Sequence, residues 1–199
     1  MKDRKAFSEV IESSLHGFLA QCWQWDDFPS FGQLVTIESG SRTIFGLVYQ
    51  IRTGSMDPVR YPFPYQKTEK ELLEEQPQIF EFLKTTFSCL IVGYQEKQSI
   101  FYLLAPKPPN IHAFVSHADN SLAKQFFLKL DYLHLLFGQS GLVGNLDELL
   151  LALLKQQASL GMLTEKKMET FIDSFSLLTG NDYRRLKLFL QRAEPLVAP

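Results

Sequence analysis

Two stretches in the first half of the chain carry β-type residues with a period of two: GQLVTIES (32 to 39) and RTIFGLVYQI (42 to 51). Only Gly40 and Ser41 separate them, and two such runs around a two-residue, glycine-containing break predict a hairpin. In the second run Ile44, Gly46, Val48 and Gln50 share one face, while Phe45, Leu47, Tyr49 and Ile51 share the other. Both faces are largely apolar. Such a strand has to be covered on two sides, as is the wall of a barrel with a helix laid over its outside. Gly46 weakens a strand and so marks a bend or a close backbone approach.

A second hairpin is predicted from FSCLIVGYQE (87 to 96) and QSIFYLLAP (98 to 106), with Gly93 late in its first arm. Upstream, GFLAQCWQW (17 to 25) is assigned as a strand through Phe18, Ala20, Cys22 and Gln24, although Val10, Ile11, Leu15, Phe18, Leu19 and Cys22 also fit a helical stripe. Between the hairpins, Thr68 and Glu71 form a capping box. Leu72, Leu73, Ile79, Phe80 and Leu83 then supply apolar positions for short helices broken near Pro77. These helices are expected to cross one mouth of the barrel.

Past APKPPNIHAFV the period becomes helical. Leu122, Phe126, Leu130, Leu133 and Phe137 mark a helix beginning near Asp119 or Asn120, and the glycines of FGQSGLVGN end it. Asn145 with Glu148 caps the leucine-rich LDELLLALLKQQ, and Thr164 caps a helix with Met168, Phe171, Ile172, Phe175 and Leu178 on one side. Asn181 opens a last helix that Pro195 stops. The fold class is therefore α+β: a small closed antiparallel β-barrel over residues 1–115, with a helical insertion near 67–84, followed by about four helices over 116–199.

A chain of 199 residues with 45% hydrophobic and 21% charged residues can bury a sizeable core. Its net charge of −2 gives no global field for polyanions, so a nucleic-acid site has to be a local patch. Cys22 and Cys89 have apolar neighbours and read as buried free thiols rather than a disulfide or metal pair. No apolar run has the length of a signal peptide's core or a membrane span, which predicts a cytoplasmic protein without membrane contact.

Few residues of the chain fall into a recognisable catalytic pattern. FGQSGLVGN has Val143 and no lysine where a phosphate-binding loop needs Gly-Lys-Ser/Thr. His112 and His117 lack a cysteine partner or an HExxH pattern, so no metal or cofactor is expected; an enzyme pocket near them at the barrel mouth is the weaker alternative. YRRLKLFLQR puts Arg184, Arg185, Lys187 and Arg192 on the last helix, a second alternative in which four cations on one face hold nucleic-acid phosphates. The favoured site is RTGSMDPVRYPFPYQ (52 to 66). Its prolines stiffen a loop that carries Arg52, Asp57, Arg60, Tyr61, Phe63 and Tyr65, and stiff loops with arginine and aromatics suit protein recognition. The competing role for Phe63 and Tyr65 is to fold back and close the barrel's open end.

The segments FGQLVTI, IFGLVYQIRTGSMDPVR, EEQPQIFEFLKTTFSCLIVGY and IFYLLAPKPPNIHAFV resemble the HAS-barrel family, the barrel domain of HerA-type DNA translocases and rotary ATP synthase subunits. The whole chain further resembles stand-alone bacterial proteins, cyanobacterial ones among them, that join this barrel to a helical tail. In the large relatives the barrel sits beside an ATPase domain and holds subunits together. No Walker motif follows the barrel in this chain, so ATPase activity does not carry over. The resemblance implies a non-catalytic adaptor whose partner is a protein: a ring ATPase, a translocase, or a second copy of itself.

Overall fold

A computed structural model describes residues 6–57, 59 and 62–197 of the chain. In chain order the elements are β1 (Ala6–Ser13), β2 (Gly17–Cys22), β3 (Leu34–Ser39), β4 (Arg42–Ser55), α1 (Glu69–Glu75), a 3-10 turn (Pro77–Phe82), β5 (Leu83–Glu96), β6 (Ser99–Phe101) and β7 (Phe114–His117). The helices α2 (Asn120–Phe126), α3 (Tyr132–Gly138), α4 (Leu146–Ser159), α5 (Glu165–Leu178) and α6 (Tyr183–Val197) follow. The strand order is β2-β1-β7-β3-β4-β5-β6, and an additional β2–β5 ladder closes six strands into a barrel with β6 appended to the end of β5. All pairings are antiparallel. The α+β architecture read from the sequence is the one observed.

Apolar residues on both faces of β4 serve two cores. Ile44 and Val48 join Phe18, Ile37, Phe87 and Val115 inside the barrel. Phe45 and Leu47 point outward and join Leu90, Phe126, Tyr132 and Leu150 beneath the helices. Gly46 permits this arrangement, since a Cβ there would meet Cε1 of Phe18 at 2.7 Å. Gly93 has a φ of +148°, and its Cβ would meet the Phe101 carbonyl oxygen at 2.5 Å, so the crossing of β5 and β6 requires glycine. Cys22 and Cys89 are free and buried.

The structure departs from expectation in several places. Ahead of β2, which is strand as read from the sequence, Ala6–Ser13 form an additional strand: β1 and β2 pair from Ser8↔Cys22 to Ser13↔Phe18, with a register shift after Val10. The long helix expected from Asp119 to Phe137 is two helices. Phe126 and Phe127 are both fully buried, and their carbonyls accept hydrogen bonds from Tyr102 Oη (2.6 Å) and Lys167 Nζ (2.5 Å). Those carbonyls are thereby engaged by other parts of the fold, and the chain turns at Phe127. Among the described residues the helical segment thus has five α-helices.

At α6 the cap is Asp182, whose Oδ1 accepts from Arg185 N at 3.0 Å. Asn181, expected to open that helix, instead has a φ of +62° in the turn after α5. Pro195 lies inside the last turn of α6 and does not stop it. Among the described residues, no helix is long and apolar enough to cross a membrane.

Candidate functional site

β4 and β5 are longer than the barrel needs. The β2–β5 ladder ends at Gln21↔Thr86 and the β3–β4 ladder at Leu34↔Leu47, but β4 and β5 stay paired out to Ser55↔Leu83. The excess forms a two-stranded arm. At its base the Thr85 hydroxyl donates to the Trp25 carbonyl (2.5 Å) and accepts from Thr53 Oγ1 (2.7 Å). At its end Met56 N donates to the Phe82 carbonyl at 2.7 Å.

The helical insertion rides on this arm. Thr68 and Glu71 make the expected capping box on α1, where their hydrogen bonds hold the Glu71 carboxyl below its ordinary range, and Pro77 starts the 3-10 turn. Neither element has a buried residue. The expectation of a helix drawn over a barrel mouth therefore gives way to a helix seated on the arm. A short helix broken by proline presents too little surface to be buried alone. Its apolar side chains are left to line a groove of about 590 Å³ with the loop: Leu72, Ile79, Phe80 and Phe82 on one side, Met56, Pro62, Phe63 and Tyr65 on the other.

Phe63 and Tyr65 meet edge to face at 5.9 Å between centroids, and Phe63 is 72% exposed. Neither residue belongs to the barrel interior, so they do not plug it. Asp57 also lines the groove; its N–H donates to Ser55 Oγ (3.1 Å) and its Oδ1 accepts from Val59 N (2.9 Å), a local turn that sets the loop's direction. Arg52 is exposed on the arm opposite Thr86 and does not line the groove. Arg60 and Tyr61 lie outside the described residues. On the far side of the arm Trp25 stacks on Phe80 at 5.4 Å, and a second groove of about 430 Å³ runs between Trp23, Trp25, Met56 and Phe80.

Met56, Phe82 and Trp25 were not among the residues singled out from sequence. Phe80 was, but as part of the apolar stripe of helices expected to cross one mouth of the barrel. The available signal was the mismatch between a strongly apolar stripe and a helix too short to bury it.

The two alternative sites come apart in the fold. His112 Nδ1 lies 2.5 Å from Glu9 Oε1 on the surface. His117 stacks on Phe7 with centroids 4.1 Å apart and is held by Gln33, whose Nε2 is 3.0 Å from Nδ1. Each imidazole thus has its own partner, and they share no carboxylate. Among the described residues no group of three or more His, Cys, Asp or Glu side chains is placed to hold a metal ion.

On α6 two of the four cations are engaged within the fold. Arg185 makes a forked contact with Asp147 (Nε 3.1 Å, Nη2 2.6 Å) and lies over the rings of Phe137 and Phe175; the bond to Asp147 holds its pKa above the ordinary value. Arg192, seven residues on, reaches Glu148 at 2.5 Å. Both therefore tie α6 to the acidic first turn of α4, and Arg184 and Lys187 point to solvent elsewhere. Compared with known proteins, the chain matches no family model and no curated protein.

Proposed function

We propose that this chain is a non-catalytic assembly module that holds a protein partner at the tip of the β4–β5 arm. The observation that supports it is the apolar groove there, in which Phe63 and Phe82 remain 72% and 58% exposed although the chain has two well-filled cores elsewhere. Clustered exposed aromatics are costly to leave in water and are the residue type on which binding energy concentrates. A braced arm presents them with little further ordering needed on contact. The likeness of the barrel segments to HAS-barrel proteins, whose barrels join subunits, favours a ring ATPase or translocase as the partner. Two reduced, buried thiols fit work in the cytoplasm.

The test is affinity purification of the full chain from its native cell, with nuclease treatment, beside a Phe63→Ser, Phe82→Ser double variant. Loss of a specific co-purifying protein with unchanged thermal unfolding supports the assembly role. Retention of that protein by the variant, or loss of folding in its place, overturns the assignment of the arm.

A further inference from the structure

A second groove, of about 470 Å³, lies in the helical segment between the α2–α3 turn and the flank of α5. On the α5 side its lining changes character along the helix. Near the first turn of α5 stand Lys166, Lys167 and Lys129; eleven residues further along α5 than Lys167, about 16 Å at 1.5 Å per residue, the groove is walled by Leu177 and Leu178. Among the described residues Asp131 is the one carboxylate in the lining; Glu165, Glu169 and Asp173 of α5 are exposed outside it, Asp173 bordering the groove on the same helical stripe as Lys166 and Leu177.

Lys167 is the informative member. Its ammonium is half-buried and donates to the Phe127 carbonyl, which accounts for one of its three protons. Among the described residues it has no carboxylate partner, and burial lowers its pKa. A half-buried cation without a counter-charge is destabilised unless an anion is supplied from outside. The positive end of α5, fourteen residues long and capped by Thr164, adds to the same field. Independently, Leu177 is 76% and Leu128 72% exposed on the rim, apolar surface that none of the described residues covers.

We infer that this groove binds a small amphiphile, its phosphate or carboxylate head among Lys129, Lys166 and Lys167 and its apolar chain running along α5 to Leu177. The site is separate from the arm and stands or falls without it.

Octyl phosphate, kept below its micelle concentration, is titrated into the full chain by calorimetry and by amide shifts of residues 128–131 and 164–178. Inorganic phosphate, octanoate and octanol serve as head-only, carboxylate-head and chain-only probes. Saturable one-to-one binding of octyl phosphate, at least about tenfold tighter than inorganic phosphate or octanol, is expected. Lys129→Ala with Lys166→Ala, both at exposed positions, should weaken it about tenfold or more, and Leu177→Ser should weaken octyl phosphate while leaving inorganic phosphate unchanged. Octanoate binding in the same residues extends the head class to carboxylates, and its failure beside octyl phosphate restricts the class to phosphate. Absence of saturable binding, indifference to both sets of variants, or inorganic phosphate binding as tightly as octyl phosphate overturns the inference.

Discussion

Replacing Phe45 by alanine tests whether barrel and helices are one cooperative unit. Phe45 is fully buried on the outer face of β4, and its ring centroid lies 4.8 Å from that of Phe126 on α2. Truncation removes a buried aromatic from the seam between sheet and helices, at a cost of about 3–5 kcal/mol. With a urea slope of about 2 kcal/mol per molar, the unfolding midpoint falls by about 1.5–2.5 M. Trp23 and Trp25 follow β2 at the barrel end, so their fluorescence reports the barrel, whereas ellipticity at 222 nm is dominated by α2 to α6. Both signals should shift together and stay superimposed, because the cluster around Phe45 runs without a break from β3, β4 and β5 to α6. Phe45→Leu is the milder variant should alanine prevent folding. A helical signal that melts early while the tryptophan transition stays in place would refute the single core.

Acid should destabilise the fold through His117. Ser30 N–H donates to Gln33 Oε1, which turns the amide Nε2 toward His117 Nδ1 and makes that nitrogen an acceptor on a neutral ring. Burial lowers the pKa of His117 from 6.5, with Asp27 opposing. The unfolded chain therefore takes the proton first: this contribution is whole above about pH 6.5 and is lost as pH falls toward the folded value. His117→Gln should flatten the dependence of the urea midpoint between about pH 7 and pH 5; an unchanged slope would assign it to another group. Burial also raises the thiol of Cys22 to about 12, with a smaller push from Asp27, and raises that of Cys89 well above its ordinary value. Ellman's reagent at about pH 8 should label neither in the native state and both in urea, and prompt native labelling would contradict the burial. Arg185→Met keeps the stem and removes the fork to Asp147; with about a third of that side chain exposed, the expected cost is about 1 kcal/mol, and a double-mutant cycle with Asp147→Ala should show coupling.

The two-faced apolar pattern of residues 44–51 and the glycines at 46 and 93 carried enough information to read the barrel with helices against its wall, because each follows from local sterics and burial. The break at Phe127 was not legible. It depends on Tyr102 and Lys167 reaching carbonyls that are far away in sequence, and a heptad-like run of Leu122, Phe126, Leu130 and Leu133 looks the same with or without them. β1 was hidden for a related reason: its register shift after Val10 disturbs the alternation that identifies a strand. For the candidate site, Phe63 and Tyr65 were visible through their prolines. Arg52 was not separable from them, since the side of an arm on which a residue falls is decided by pairing with Thr86. The lysines of the α5 groove escaped notice because Lys129 and Lys166 come from separate elements.

The central wall has a further property. Since β4 is greasy on either side, alternation cannot tell its proper alignment from one slipped by a single residue. Side-chain size can: the narrow lumen accepts Ile44, Gly46 and Val48, while the bulkier Phe45, Leu47 and Tyr49 belong outside. A one-residue insertion ahead of Ile44 would force three large groups into a space shaped for small ones. It should harm this protein more than most substitutions anywhere along the same strand.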